Sequence, residues 1–159
     1  MDRFKKVIKP RVTGDIYESV LSGGDCMCSV SSMVKRSVFD HLNGYDESLA
    51  YEDLDFWTRA SRIYDIDFID EILIRKRTVD NSLGTHFFMK NDTRARKINQ
   101  STYLILKKAI SLNRTKKEDQ AVLKRIHFEI ILNHKTANYT LLLKYILLEI
   151  KLRSRLLFP

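Results

Sequence analysis

The sequence predicts an α/β fold in which helix exceeds strand. Residues 26–34 and 66–75 are rich in small, β-branched or aromatic side chains, a composition typical of strands. Residues 52–64 carry apolar side chains at helical spacing, and a helical pattern runs through most of residues 86–159. We therefore expect two regions: a layer of strands and short helices over residues 1–85, followed by a basic helical region.

Local signals mark where the predicted elements begin and end. Glycines or an Asn-Gly pair end the short helices. Thr115, with Glu118 three positions later, forms a capping box at the start of a long helix. The predicted elements are a helix over 16–21 after Asp15, a strand over 26–34, a helix over 35–42, a helix from Glu52, one or two strands over 66–75, and three helices near 86–112, 116–134 and 137–157.

Composition excludes several classes of protein. With 44% hydrophobic and 30% charged residues, the 159-residue chain is typical of a folded globular domain. No apolar stretch in the sequence is long enough to span a bilayer, and no secretory signal is visible. Cys26 and Cys28 are too close for an easy mutual disulfide and have no neighbouring zinc ligands. We therefore expect no metal site here and a cytoplasmic, reducing setting.

Charge is divided unevenly along the chain. Residues 1–85 hold 12 Lys and Arg against 15 Asp and Glu, a net −3. Residues 86–159 hold 16 against 5, a net +11, which together give the formal charge of +8. The basic region therefore suits an anionic partner, which could be a membrane surface, a nucleic acid or a phosphorylated substrate.

The densest polar cluster contains five acidic residues within ten positions: Asp46, Glu47, Glu52, Asp53 and Asp55. Carboxylates at the start of a helix commonly cap it or complement its dipole. A carboxylate can also act as a general base toward a hydroxyl group. The cluster by itself favours the structural role.

The residues around this cluster follow a recognisable order. Ser-Ser-Met-Val-Lys-Arg-Ser-Val-Phe at 31–39 precedes Leu-Asn-Gly-Tyr-Asp-Glu at 42–47 and Tyr-Glu-Asp-Leu-Asp-Phe-Trp-Thr-Arg-Ala at 51–60. Ile-Arg-Lys-Arg-Thr-Val-Asp-Asn-Ser-Leu follows at 74–83. Over about residues 15–85, this order resembles the acceptor-side, C-terminal half of family 2 sugar-nucleotide glycosyltransferases. It implies the C-terminal half of a GT-A fold, a few strands with helices on the sheet, followed by a three-helix C-terminal region.

The resemblance also implies roles for individual residues. Asp53 matches the base that deprotonates the acceptor hydroxyl, and Arg77 matches a cation facing the leaving diphosphate. Asn43, Ile74 and Gly84 depart from the family pattern, and of these Asn43 is the mildest change because Asn tolerates a left-handed backbone. The implied site residues are Asp53 as catalyst, Glu52, Tyr51, Asp46 and Trp57 for the acceptor, and Arg77 and Ser82 for the leaving group. Trp57 also suits a core position.

The nucleotide-binding half of such enzymes has no counterpart in this sequence. Its Asp-x-Asp metal motif would have to be Asp53-Leu54-Asp55 or Asp65-Ile66-Asp67, and both lie in the wrong place. We therefore expect a truncated or split enzyme of polysaccharide or glycoconjugate synthesis that is inactive alone. This fragment should need no cofactor, while Mn²⁺ or Mg²⁺ is expected for the whole enzyme. Its partners would be a nucleotide sugar and an acceptor glycan, and unpaired strand edges would favour a homo-oligomer.

Other interpretations stay open at this stage. The apolar and basic segment 136–158 suits either a packing helix or a peripheral contact with the anionic inner face of the plasma membrane. The acidic cluster also fits a non-catalytic adaptor or subunit. A nucleic-acid-binding helical module matches the charge of residues 86–159, but the sequence has no recognisable reader motif.

Overall fold

A computed structural model describes residues 13–23, 27–71, 73–75 and 86–157. These residues are 64% helical. The described elements are α1 (Tyr17–Leu21), a 3₁₀ turn (Ser29–Ser31), α2 (Arg36–His41), α3 (Glu52–Ser61), α4 (Thr93–Leu112), α5 (Lys116–Lys135) and α6 (Tyr139–Leu157).

The predicted α/β layer, and with it the GT-A fold, is wrong. In the part of the chain that the structure describes there is no sheet, and extended segments pair only at an antiparallel bridge between Gly14 and Ile66. The 3₁₀ turn interrupts the predicted strand over 26–34. A strand is stable only when a neighbour takes up its backbone hydrogen-bonding groups, and the described part of 66–75 has no such neighbour beyond Ile66.

The helices begin and end close to the predicted positions. The helix α3 begins at Glu52, as the sequence indicates. The capping box at α5 is confirmed, because the Glu118 N–H donates to Thr115 Oγ1 at 3.2 Å and the Thr115 N–H donates to Glu118 Oε2 at 3.2 Å. The helix α4 begins later than predicted because the Asp92 carboxylate caps it, accepting the Ala95 N–H at 2.8 Å.

The short helix α1 lies between two apolar clusters. Tyr17 and Leu21 belong to a cluster with α4, α5 and α6, whereas Ile16 and Val20 belong to a cluster with the residues around α2 and α3. All four side chains are buried. The five residues of α1 therefore attach the acid-rich N-terminal part of the chain to the three long helices.

A buried polar junction reinforces this attachment. The Tyr17 hydroxyl donates to Asn113 Oδ1 at 3.0 Å, and the Arg62 guanidinium lies 4.7 Å from the centre of the Tyr17 ring. Arg62 also pairs with the Glu118 carboxylate at 2.7 Å. Burial raises the pKa of Tyr17 to about 12, so the hydroxyl stays protonated as a donor at neutral pH. The end of α3 is thus tied to the start of α5.

The cap at Thr115 yields a stability prediction. Thr115→Ala should lower the free energy of unfolding by about 1 kcal/mol, because the Glu118 N–H loses its acceptor at the start of α5. Urea denaturation followed by far-UV circular dichroism measures the change. Thr115→Ser keeps the hydroxyl and should stay close to the wild type. An equal loss in the serine variant would contradict a capping role.

Candidate functional site

The acidic segment lies on the turn between α2 and α3 and on the first turn of α3. Asn43 and Gly44 adopt left-handed backbone angles, with φ of 56° and 65°, and so end α2. A Cβ on residue 44 would lie 3.1 Å from the Phe39 ring, so glycine allows the turn to close against this ring. The left-handed Asn43 agrees with the sequence interpretation that asparagine is a mild substitution here.

Aromatic rings pack together at this turn. Tyr45 packs edge-on against Phe39 and Phe56, with ring centroids 5.4 and 5.1 Å apart. An open depression of about 500 Å³ lies on the outer side of the turn. Its lining consists of Phe39, Asp40, Asn43, Gly44, Tyr45 and Glu47, and Asp53 is not among them.

Asp55 is a structural carboxylate. Its side chain is only 2% exposed, and it accepts hydrogen bonds from Arg59 Nε at 2.8 Å and from Lys108 Nζ at 3.1 Å. Arg59 in turn donates to the backbone carbonyls of Leu42 and Gly44. Asp55 therefore connects α3 to the turn before it and to α4.

Asp46 is bound to Lys108, one of the two cations that pair with Asp55. It accepts Lys108 Nζ at 2.8 Å on one oxygen and the Ser48 hydroxyl at 2.5 Å on the other. The hydrogen bonds from Lys108 and Ser48 lower the pKa of Asp46 to about 2. Partial burial opposes the charge of Lys108, but its hydrogen bonds to Asp46 and Asp55 outweigh this effect and raise its pKa.

Asp53 differs from these two carboxylates. It lies half-buried on the first turn of α3, and its Oδ2 accepts the Ser29 hydroxyl at 2.6 Å. Its other oxygen accepts no hydrogen bond from a described residue, and no described cation forms an ion pair with either oxygen. Glu52 and Glu47 are exposed and likewise make no ion pair within the described ranges. The structure therefore separates the acidic cluster into two carboxylates bound to cations and three that pair with no described cation.

The remaining predicted site residues occupy different environments. Tyr51 is half-buried just before α3, with its ring centroid 6.4 Å from that of Phe87. Trp57 lies in the core, 7% exposed, packed edge-on against Phe56 with centroids 5.1 Å apart. Arg77 and Ser82 lie outside the described residues.

Two contacts of the site were not identified from the sequence. Ser29 lies in a run of small residues in which nothing distinguishes one hydroxyl from another. Lys108 is 62 residues from Asp46 along the chain, and its partners are set only by the packing of α4 on α3. A lysine on a basic helix carries no sequence signal for such a partner.

The divalent ion that the resemblance implies for a whole enzyme finds no ligand set here. Within residues 13–23, 27–71, 73–75 and 86–157, no group of three or more His, Cys, Asp or Glu side chains is arranged to hold a metal ion. No chemical step is therefore assigned to a metal in this chain.

Comparison with known proteins adds no relative. No protein-family model, curated protein or solved structure matches this chain significantly.

The ion pair between Lys108 and Asp46 should make the stability of the fold depend on pH. Because the folded-state pKa of Asp46 is depressed, its contribution to stability is present above the ordinary pKa near 3.8 and is lost as the pH falls toward about 2. Lys108→Met should move the pKa of Asp46 back up toward 3.8 and so remove most of this contribution. Carboxyl ¹³C chemical shifts followed against pH measure the effect.

The matched control is Lys107→Met. Lys107 is the adjacent lysine on α4, and its ammonium lies 6.0 Å from the Tyr103 ring rather than on Asp46. It should leave the titration of Asp46 unchanged. The same pKa of Asp46 in the wild type and in Lys108→Met would show that the ion pair does not form in solution.

Proposed function

We propose that this chain supplies the acceptor side of a sugar-nucleotide glycosyltransferase, with the Asp53 carboxylate as the base. The observation that carries the proposal concerns the Asp53 carboxylate, which is half-buried at the start of α3. Among the described residues, one of its oxygens accepts no hydrogen bond, and neither oxygen forms an ion pair. The order of residues over 31–60 supports the same role. Because the described residues form no sheet, the proposal rests on the Asp53 carboxylate and the residue order around it, not on a GT-A layer.

The chemistry follows from the two oxygens of Asp53. An alcohol is a weak nucleophile until a base takes its proton. The Ser29 hydroxyl holds one oxygen at 2.6 Å and so fixes the carboxylate, which leaves the other oxygen for the substrate. In the proposed reaction this oxygen takes the proton of the acceptor hydroxyl as the acceptor oxygen bonds to the anomeric carbon of the donor. The bond from that carbon to the nucleoside diphosphate breaks, and the diphosphate leaves with the electron pair.

The neighbours of Asp53 suit an acceptor sugar. Glu52 is exposed beside it and can accept hydrogen bonds from sugar hydroxyls. The rings of Tyr51 and Phe87 lie next to the start of α3 and offer an apolar surface for a sugar ring. We assign the reaction to polysaccharide or glycoconjugate synthesis in the cytoplasm, with the nucleotide bound by a separate region.

The ion pairs narrow the choice of base. A proton on Asp46 or Asp55 would break the ion pairs that these carboxylates make, so neither suits the role of base. Removing Asp55 would also take away the carboxylate that Arg59 and Lys108 share. Asp53 carries neither restriction, because within the described residues only a neutral hydroxyl contacts its carboxylate.

Replacing the base tests the proposal. Asp53→Asn should lower kcat by about 10²- to 10⁴-fold with little change in KM for the acceptor, because the amide cannot take the proton yet still accepts the Ser29 hydroxyl. Transfer is measured as release of nucleoside diphosphate over a panel of UDP- and GDP-sugars with mono- and disaccharide acceptors. The assay includes the separate nucleotide-binding region that the proposal requires.

The control is Asp40→Asn. Asp40 is an exposed carboxylate on α2 that pairs with Arg36 at 2.9 Å, and its replacement should leave turnover unchanged. Acceptor binding by the 159-residue chain is measured separately, from amide chemical shifts in titrations with the same saccharides. Shifts confined to Ser29 and residues 51–53 support the proposal. Wild-type turnover in Asp53→Asn, or no shift in these amides, contradicts it and favours a non-catalytic adaptor.

A further inference from the structure

The last helix presents apolar side chains on two opposite faces. Leu141, Tyr145, Leu148 and Leu152 pack into the core with α4 and α5. On the other side, Leu143, Leu147 and Ile150 are 62%, 67% and 60% exposed. These three belong to a line at helical spacing, here named the outer stripe, which consists of Tyr139, Leu143, Ile146, Leu147, Ile150 and Leu157 and is interrupted by Ser154 between the last two.

Cations border the outer stripe. Lys144 and Lys151 are two turns apart on α6, exposed, and form no ion pair with any described residue. Lys107 of α4 extends this edge, because its ammonium and that of Lys144 lie 6.0 and 5.9 Å from the centre of the same Tyr103 ring. The acidic residue of α6, Glu149, is already paired with Arg153 at 2.6 Å. The face is therefore apolar in the middle and positive along one edge.

We infer that the outer stripe docks on an anionic lipid surface, with its aliphatic side chains at the acyl boundary and Lys144 and Lys151 among the headgroups. A helix with this distribution lies in the plane of a membrane interface, where apolar burial and attraction to anionic lipid act together. None of the described helices is both long and apolar enough to cross a bilayer, so the contact is peripheral. This inference is independent of the chemistry assigned to Asp53.

Charge complementarity distinguishes the lipid surface from other occupants. A second copy docked antiparallel by two-fold symmetry would bring lysines near lysines. Docked parallel, it would bring the lysines to the opposite edge, where Glu149 is already paired with Arg153. A nucleic acid would satisfy the lysines but would leave the aliphatic side chains exposed. An anionic lipid surface satisfies both parts of the face.

Vesicle co-sedimentation of the 159-residue chain tests the inference. The chain should bind vesicles that mix phosphatidylglycerol with phosphatidylcholine, and should not bind phosphatidylcholine alone. Lys144→Gln with Lys151→Gln should weaken binding about 25-fold, or about fivefold per lysine. Leu143→Gln with Leu147→Gln should weaken it at least about tenfold, because two apolar side chains no longer insert. Circular dichroism verifies that each variant is folded.

Matched controls come from elsewhere on the surface. Lys117 and Lys124 on α5 have the same seven-residue spacing, exposure and lack of ion pairs among the described residues, and their double Gln variant should bind far better than the Lys144 and Lys151 variant. Ile63→Gln with Leu73→Gln removes two equally exposed apolar side chains and should bind as the wild type does. Equal losses in the controls, or equal binding to neutral vesicles, would overturn the inference. A chain that binds no vesicles would also overturn the inference if light scattering showed a dimer, or a binding assay showed nucleic-acid binding, and the Leu143 and Leu147 variant abolished it.

Discussion

The arrangement of the acidic segment depends on one buried carboxylate. Asp55 is nearly inaccessible and holds two cations, Arg59 from its own helix and Lys108 from α4. Through Arg59 it orders the carbonyls of the preceding turn, and through Lys108 it fixes Asp46. A buried charge is stable only when it is paired and hydrogen-bonded, and the two cations provide this. The start of α3 is therefore joined by ion pairs and hydrogen bonds to the preceding turn and to α4.

The ion pairs of Asp55 give the carboxylates of the acidic segment different surroundings. Asp55 and Asp46 share Lys108, whereas the hydrogen bond that Asp53 accepts from a described residue comes from the neutral hydroxyl of Ser29. In the proposed reaction the base is this carboxylate, which Ser29 holds and which pairs with no described cation. Two of the long helices add to these features. The helix α4 supplies Lys108 to the acidic segment, and α6 exposes an apolar face bordered by lysines.

Local signals predicted the helices but not the fold. The cap at Thr115 and the start at Glu52 are specified by neighbouring residues, so the sequence contains them. The strands failed because pairing is non-local, and β-branched composition at 66–75 does not supply a partner strand. The acidic cluster is visible in the sequence because its members are neighbours along the chain. Which of its carboxylates pair with a cation is not visible there, because that depends on tertiary packing. That pairing depends on Lys108, which tertiary packing brings to Asp46 from 62 residues away.

The central claim is that Asp55 is structural and Asp53 is not, and paired unfolding measurements test it most directly. Urea denaturation of Asp55→Asn should show a loss of about 2 kcal/mol, because the charge that accepts the hydrogen bonds of Arg59 and Lys108 is removed. Asp53→Asn should lose less than about 1 kcal/mol, since the amide oxygen still accepts the Ser29 hydroxyl. Similar losses in the two variants, or a larger loss in Asp53→Asn, would contradict the account.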